Sequence, residues 1–246
     1  MNRPKKITII TVCYNAEKTI EDTIKSVLQQ TYTNYEYLII DGKSKDSTLD
    51  IINKYSNDKH IKVISEKDNG LYDAMNKGVA MATGDIIATI NSDDILYDQN
   101  VFQTVIDNFD EETDIVYADI LYCDEKLDKT IRDYISGEKK NDYWCPAHPS
   151  MYVRKQTYDL IGKYNIDYKI CSDYDFMIRC SQNNVKFKYL KKYFAKMRYG
   201  GASNGLVGYV KNFFECFKVL RTNNVSFPLT KTVIRTFHTI GQIIKK

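Results

Sequence analysis

Apolar residues follow two alternating periodicities along the first hundred residues. Ile7–Cys13 is a continuous apolar run rich in β-branched residues, which is typical of a strand buried in a parallel sheet. Residues 17–30 then place Ile20, Ile24 and Val27 at helical spacing, which predicts a helix packed on that sheet. The alternation continues with predicted strands at 35–40, Ile61–Ser65 and 85–90 and predicted helices at 47–55 and 71–82. This βαβ order predicts a parallel sheet with right-handed crossovers.

The order of elements changes after residue 100. Ile115–Cys123 and 129–134, separated by acidic turn residues, predict an antiparallel pair. The other segments predict helices at 101–109 and 173–183, strands at 150–154 and 185–190, and amphipathic helices at 207–220 and 230–245. We therefore expect an α/β fold with a mostly parallel central sheet, a mixed second half and a helical C-terminal tail.

Charge is distributed unevenly over the 246 residues. The net charge is only +3, yet 13 of the 35 Lys and Arg residues lie from Lys186 onward, against one acidic residue, Glu215. Basic amphipathic helices favour an anionic membrane surface as partner. Because the body lacks a recognition motif and its acidic balance repels phosphate, we expect no nucleic-acid partner. The apolar helix faces could instead pack on the rest of the domain or on a second subunit in a homodimer.

Polar side chains follow four successive predicted strands. Tyr14 and Asn15 follow the first, Asp41 the second, Asp68 the third and residues 91–94 the fourth. Each loop, taken singly, has a simple explanation as a turn or a helix cap. However, the carboxyl ends of parallel strands meet at one edge of the sheet. A nucleotide bound with a divalent ion explains why carboxylates and amides gather there, whereas four independent caps do not.

At these positions the sequence resembles glycosyltransferase family 2, which has the GT-A fold. The resemblance covers roughly residues 4–185 and rests on the set Thr11-Val12-Cys13-Tyr14-Asn15, Asp41-Gly42-Lys43-Ser44-Lys45-Asp46-Ser47-Thr48 and Asn91-Ser92-Asp93-Asp94. Residues 66–78 resemble a subgroup that builds bacterial surface polysaccharides. The expected organisation is a GT-A domain over 1–205, with a nucleotide-sugar half over about 1–110 and an acceptor half over about 111–205, followed by the tail 206–246.

The resemblance implies nucleotide-sugar-binding roles at this edge of the sheet. Thr11, Tyr14 and Asn15 would line the nucleotide pocket. Asp41 would accept a hydrogen bond from the base, expected to be uracil, and Asp68 would bind in the same base or ribose region.

The resemblance also implies a metal site after the fourth strand. Asp93 matches the last acid of the family's Asp-x-Asp motif and would ligate Mn2+ or Mg2+. Asn91 replaces the first acid and would hydrogen-bond a ribose hydroxyl, with Ser92 and Asp94 completing the nucleotide-sugar-binding segment.

Two further matches concern the sugar and the acceptor. Asn76 and Lys77 lie where the family often has an Arg-Asn pair near the sugar or phosphates, although Met75 replaces the arginine. The segment from Ser172 to Arg179 resembles the family's Glu-Asp-x-x-Leu segment, which makes Asp173 the expected general base. Asp173 could also cap the helix that follows, and the two roles are compatible.

Two segments carry less specific signals. His148, flanked by Pro146 and Pro149, could lie near the acceptor or the metal, or could simply occupy a rigid turn. Residues 200–205 are rich in glycine and predict either a lid over the diphosphate or a linker into the tail.

The expected activity is inverting transfer of a hexosyl group from a nucleotide-diphosphate sugar, UDP-linked, to a saccharide acceptor, lipid-linked, in surface polysaccharide synthesis. Two alternatives remain: a sugar-phosphate nucleotidyltransferase, although residues 14–17 lack the glycines of its usual loop, and a non-catalytic nucleotide-sugar-binding protein. A dinucleotide oxidoreductase is a weaker alternative still, because no GxGxxG follows the first strand. The six cysteines form no CxxC pair, which favours reduced thiols and a cytoplasmic enzyme peripheral to the membrane.

Overall fold

The computed structural model describes residues 5–139, 141, 143–200 and 205–244. Its first half contains β1 (Ile7–Cys13), α1 (Ile20–Leu28), β2 (Tyr35–Asp41), α2 (Thr48–Asn53), β3 (Ile61–Ser65), α3 (Leu71–Met81), β4 (Ile86–Thr89), β5 (Ile95–Leu96) and α4 (Val101–Asn108). Its second half contains β6 (Ile115–Cys123), β7 (Thr130–Tyr134), a 3-10 turn (His148–Ser150), β8 (Tyr152–Arg154), α5 (Lys155–Ile161), α6 (Ser172–Gln182), β9 (Phe187–Arg198), α7 (Gly205–Thr222) and α8 (Pro228–Ile244). The predicted lid at 200–205 falls largely on residues 201–204, which lie outside the described ranges.

The described strands form one nine-stranded mixed sheet. β3, β2, β1 and β4 pair in parallel, as the βαβ order predicts. β4 then pairs antiparallel with β8, and β6 pairs antiparallel with β7 and β8 but parallel with β9. These changes of direction confirm the expected α/β fold with a mixed second half.

Helices cover both faces of this sheet. On one face, α1 and α4 bury Ile24 and Phe102, and on the other, α6 buries Phe176. Successive β1 residues point to opposite faces, so Ile9 joins the first core and Ile10 the second. Burial from both sides favours apolar residues along the strand, and the hydroxyls of its two threonines, Thr8 and Thr11, are hydrogen-bonded within the protein.

The two C-terminal helices pack in part on the α/β domain. α7 buries Cys216, Val219 and Leu220 against Tyr174 and Ile178 of α6, and α8 contacts α7 and β7. The helices and the turn between them nevertheless leave several large apolar side chains exposed: Val210, Phe214, Phe227, Leu229, Ile234 and Phe237. Among the described helices, none is long and apolar enough to cross a membrane.

A carboxylate joins the amino ends of β1 and β4 to β2. Glu36 of β2 accepts hydrogen bonds from Thr8 Oγ1 at 2.5 Å, from the Thr83 backbone N at 2.6 Å and from Lys6 Nζ at 2.9 Å. The Glu36 side chain is only 17% exposed. Although burial opposes ionisation, the hydrogen bonds from Thr8, Thr83 and Lys6 lower the pKa of Glu36 to about 2.

We expect Glu36→Gln to lower the free energy of unfolding by about 2 kcal/mol at pH 7. A carboxyl group with a lowered folded-state pKa stabilises the fold fully above its unfolded pKa, here 4.5, and loses that contribution as the pH falls towards 2. The difference between wild type and variant should therefore shrink between these two pH values. Urea unfolding across this range measures it, and equal stabilities at pH 7 would contradict the prediction.

Candidate active site

A cavity of about 830 Å³ opens at the carboxyl ends of β1 and β4. This volume is within the usual range for small-molecule sites. The cavity is walled by the loops after these strands, the start of α3, the 3-10 turn, the start of α6 and parts of α7 and α8. Many of the predicted site residues lie in its lining, namely Tyr14, Asn15, Asp68, Asn91, Ser92, Asp93 and Asp173.

The loops after β1 and β2 are tied to each other. Asn15 adopts a φ of 51°, a left-handed conformation that Asn tolerates better than most residues. Its Oδ1 accepts a hydrogen bond from the Lys45 backbone N at 2.8 Å, and its own backbone N donates to Ser44 Oγ at 2.9 Å. This bonding fixes the loop that carries Tyr14, whose ring is 56% exposed at the cavity.

Asp41 lies behind the cavity lining. It is fully buried, and its carboxylate accepts hydrogen bonds from Ser65 Oγ at 2.6 Å, from the Lys43 backbone N at 3.1 Å and from both the hydroxyl and the backbone N of Ser44. These bonds order the turn that carries Ser44. A direct bond from Asp41 to a base would therefore require one of these donors to be released.

Asp68 lies over the same turn. Its Oδ1 accepts a hydrogen bond from the Gly70 backbone N at 2.9 Å, and its Oδ2 lies so close to Gly42 that a Cβ there would collide with it. The Tyr14 ring lies 3.5 Å from that same Cβ position. The absence of a side chain at Gly42 thus lets the Asp68 carboxylate and the Tyr14 ring lie against this turn, and we call the part of the cavity lining that these two residues form the niche.

Two side-chain oxygens after β4 have no hydrogen-bond donor in the described part of the chain. They are Asn91 Oδ1 and Asp94 Oδ1, both buried, while Asn91 Nδ2 donates to Asp94 Oδ2 at 3.1 Å. Burial, together with the charge of Asp93, raises the pKa of Asp94 well above its ordinary value. A buried unpaired acceptor costs about 1–3 kcal/mol, so the pair marks a place where a ligand is expected.

Asp93 could hold one divalent cation jointly with a ligand. Its carboxylate offers oxygen donors of the kind that Mn2+ and Mg2+ prefer. No group of three or more His, Cys, Asp or Glu side chains among the described residues is placed to hold a metal by itself. Mg2+ is often held by one or two carboxylates plus substrate phosphates, and Asp93 could serve in that way. Its metal role stays a prediction.

Asp173 lies in the first turn of α6 and lines the cavity. The N-cap of α6 is Cys171 and makes no side-chain cap bond, so Asp173 is not the cap residue. The Tyr72 hydroxyl lies 3.1 Å from Asp173 Oδ1 and 2.6 Å from the Ile170 carbonyl oxygen, and its single proton can reach only one of them. The carboxylate therefore retains acceptor capacity towards the cavity, as a general base requires.

His148 lines the cavity through the 3-10 turn. Its Nε2 lies 3.1 Å from Thr89 Oγ1 and 3.1 Å from the Tyr164 hydroxyl. Burial lowers the pKa of His148, with the charge of Asp173 opposing the shift. The imidazole is therefore neutral at pH 7 and bonded within the protein, which makes it a rigid part of the cavity wall.

Three other predicted residues are bonded within the protein. Thr11 Oγ1 lies 2.9 Å from the Tyr37 hydroxyl, and the Asn76 amide exchanges hydrogen bonds of 2.8 and 2.9 Å with the backbone of Tyr164. Lys77 pairs with carboxylates from the loop after β3 and from α3 itself. The residues that the structure places outside the lining are Thr11, Asp41, Asn76, Lys77 and Asp94.

Three arginines in the lining were not predicted as site residues. They are Arg132 on β7, Arg198 on β9 and Arg235 on α8. Arg198 donates to the Asp93 carbonyl oxygen at 2.6 Å and to Asp22 Oδ2 at 2.5 Å, so it braces the loop that carries Asp93. The only sequence signal for Arg198 and Arg235 is the basic excess beyond residue 185, which does not say what each side chain faces.

The match to the model of Glycosyl transferase family 2 spans residues 8–184. The chain belongs to this family. It is therefore a glycosyltransferase, which removes the nucleotidyltransferase alternative. One relative of this family 2 enzyme is the PGL/p-HBAD biosynthesis glycosyltransferase of Mycobacterium bovis, 30% identical over 214 residues, which cover 81% of this chain and 80% of that protein.

Solved structures share the GT-A fold with this family 2 enzyme. TarS from S. aureus in complex with UDP superposes with a TM-score of 0.71 at 17% identity, over 95% of this chain and 72% of that one. The mannosyltransferase PcManGT from Pyrobaculum calidifontis, in complex with GDP-Man and Mn2+, gives a TM-score of 0.66 at 12% identity, over 97% of this chain and 76% of that one. At these identities the likeness confirms the fold.

Proposed function

We propose that this glycosyltransferase transfers a sugar, with inversion, from a nucleotide diphosphate to a hydroxyl of a saccharide acceptor. The proposal rests on one observation: Asp93 and Asp173, which come from different halves of the chain, line the same cavity. A single displacement needs a base at the attacking hydroxyl and charge stabilisation at the leaving group. The acceptor capacity of Asp173 supports the first role, and the oxygens around Asp93 support the second.

The donor end of the cavity lies, in this proposal, between the loops after β1 and β4. The niche between Asp68 and Tyr14 would take the base, with Asp41 ordering the turn beneath it, and Asn91 Oδ1 would accept a hydrogen bond from a ribose hydroxyl. Uridine is the proposed base, supported by the UDP in the TarS structure. A divalent ion on Asp93 would neutralise the departing diphosphate.

We expect UDP to bind about tenfold or more tightly than GDP or CDP, because a mismatched base leaves buried polar groups unpaired. Calorimetry with each nucleotide, with and without Mn2+, measures this. Gly42→Ala should weaken UDP binding by a similar factor because the new methyl group displaces Asp68. Gly241→Ala is the matched control, since it adds the same methyl group to open space on α8.

The outcomes separate the rival functions. Absence of binding for every nucleotide, with and without Mn2+, would refute the proposed donor site. Equal affinities for UDP, GDP and CDP would refute the selection of uracil but not the donor site itself. Tight UDP binding without transfer from any UDP-sugar, to an acceptor or to water, would identify a non-catalytic nucleotide-sugar-binding protein.

We also propose that α7 and α8 hold the enzyme at an anionic membrane surface, beside a lipid-linked acceptor. Lys211, Phe214, Lys218 and Arg221 are all exposed, and their helical spacing places them on one face of α7. Phe227 and Phe237 are 77% and 69% exposed. Aromatic side chains beside basic ones suit the boundary between headgroups and acyl chains of an anionic leaflet.

The wild-type protein should therefore co-sediment with anionic vesicles and detach as salt rises. We expect the double variant Phe227→Ser, Phe237→Ser to bind about tenfold or more weakly, because two aromatic rings no longer enter the interface. Leu160→Ser removes an equally exposed apolar side chain from α5 and is the matched control. Undiminished binding of the double variant, or equal binding to neutral vesicles, would contradict membrane docking. A dimer that the double substitution dissociates would assign this surface to a homodimer instead.

A further inference from the structure

The positive charge in the cavity lining is concentrated on elements of the second half. The second half supplies three arginines from β7, β9 and α8, one lysine and one carboxylate to the lining, namely Arg132, Arg198, Arg235, Lys169 and Asp173. The charged side chains that the first half supplies are the carboxylates Asp68 and Asp93. The lining is therefore net positive on the second-half side and acidic at the proposed donor end. A neutral saccharide acceptor gives no reason for guanidinium groups at the other end.

Arg132 is held in place by an aromatic ring, and no carboxylate of the described ranges pairs with it. Its guanidinium lies over the Tyr122 ring, 4.0 Å from the ring centroid. Its Nε and Nη1 atoms are buried and have no hydrogen-bond acceptor among the described residues. Because burying an unsatisfied charged donor is unfavourable, these two N–H groups mark a position where an acceptor from a ligand is expected.

Arg235 reaches the same cavity from the C-terminal helix. Its guanidinium lies 4.3 Å from the centroid of the Tyr174 ring, and its Nη1 lies 3.3 Å from Cys216 Sγ. Asp173, Tyr174 and Arg235 all line this cavity. Burial raises the pKa of the Cys145 thiol to about 12, with Asp173 adding to the rise and Arg235 opposing it, which places both charges around this thiol.

Arg198 is bonded towards the loop that carries Asp93. It donates to the Asp93 and Glu125 carbonyl oxygens at 2.6 and 2.8 Å and pairs with Asp22. Its role is to brace the Asp93 loop, which leaves Arg132 and Arg235 as the arginines of the acceptor end.

We propose that Arg132 and Arg235 form an anion subsite beside Asp173, and that the acceptor carries a phosphate group. This inference rests on the proposed assignment of Asp173 to the acceptor side. The planar guanidinium offers paired N–H donors that match two phosphate oxygens, and both groups are pre-oriented by aromatic stacking. The phosphate would orient the acceptor hydroxyl towards the Asp173 carboxylate. The subsite recognises phosphate whether it links the saccharide to a lipid or belongs to the saccharide itself.

The test compares glucose 1-phosphate with glucose as calorimetric probes, each titrated into the protein alone and into protein saturated with UDP and Mn2+. We expect wild type to prefer the phosphorylated probe by about tenfold or more in both series. Arg132→Gln and Arg235→Gln should each remove most of that preference and leave UDP affinity within about twofold. Arg132→Lys should restore only part of it, because it keeps the charge without the paired donors. Lys191→Gln removes an exposed charge outside the cavity lining and should change nothing.

Other results would overturn the inference. If wild type does not distinguish the two probes, the acceptor subsite is not anionic, and UDP binding can still support the proposed function. If the glutamine variants weaken UDP instead of the phosphate probe, the arginines serve the donor diphosphate. If UDP fails to bind at all, the donor proposal fails, and the titrations without UDP still decide the anion subsite. Thermal unfolding of each variant excludes loss of the fold, and the lysine variant tests Arg132 if the glutamine variant is unstable.

Discussion

Asp173→Asn is expected to lower the turnover number by about 100- to 10,000-fold while changing donor affinity by less than about twofold. The amide is nearly isosteric with the carboxylate and can still accept a hydrogen bond from Tyr72. It cannot take the proton of an attacking hydroxyl, so the loss falls on the chemical step. Single-turnover transfer from the donor identified by calorimetry, with affinity measured in parallel, separates the two quantities.

Asp175→Asn is the matched control on the same helix turn. Asp175 is buried outside the cavity lining, where it pairs with Arg179 at 2.9 Å and accepts a hydrogen bond from Asn223 at 2.8 Å. Its substitution should cost about 1–3 kcal/mol of stability and leave turnover near normal below the unfolding temperature. A collapse of donor binding in Asp173→Asn would make Asp173 a donor ligand or a structural group. A normal rate in Asp173→Asn would exclude it as the base.

Most elements of the first half could be predicted closely because β1, β2 and β4 are buried along nearly their whole length. The bounds of β1 and β3 coincide with the predicted segments Ile7–Cys13 and Ile61–Ser65, and in the second half the bounds of β6 coincide with Ile115–Cys123. In a continuous apolar strand the run ends where the chain leaves the core, so composition alone marks the boundary. The edge of the sheet, and with it the acidic loops after β1 and β4, follows from those boundaries.

The end of β9 could not be predicted from the local sequence pattern. The pattern predicts a strand at 185–190, since the exposed pair Lys191 and Lys192 interrupts the apolar run. The structure continues β9 to Arg198, with register shifts opposite β6 around Asp119 that accommodate the interruption. Such an irregularity is set by pairing between distant strands, so Arg198 and its contact with Asp93 could not be found from local pattern.

The contacts made by the side chains of Asp41 and Arg235 could not be predicted from the sequence either. Asp41 ends β2 as predicted, but the turn after it, with Lys43 at a φ of 65°, directs donors onto the carboxylate and fills its acceptor sites. The pattern places Arg235 on the basic amphipathic helix predicted at 230–245, whereas the structure places this residue in the cavity lining. An amphipathic pattern identifies which residues share a helix face. What that face contacts is decided only by how the C-terminal helices pack on the rest of the chain.

Asp93→Asn is expected to abolish the Mn2+-dependent part of nucleotide binding, seen as a loss of at least about tenfold in UDP affinity in the presence of Mn2+. A hard divalent cation binds a carboxylate far more strongly than an amide. UDP affinity without metal should change little, because the base niche between Asp68 and Tyr14 is untouched. Calorimetric titration of UDP with Mn2+, Mg2+ or chelator measures the difference without relying on turnover.

Asp107→Asn serves as the charge-matched control for this prediction. Asp107 lies on α4, where it accepts a hydrogen bond from Gln103 Nε2 at 2.7 Å outside the cavity lining. Both substitutions remove one negative charge, so an effect confined to Asp93→Asn must come from its position rather than from net charge. Equal Mn2+ enhancement of UDP binding in wild type and Asp93→Asn would remove Asp93 as the metal ligand. The unpartnered oxygen of Asn91 would then mark a hydrogen-bonding site for the sugar nucleotide alone.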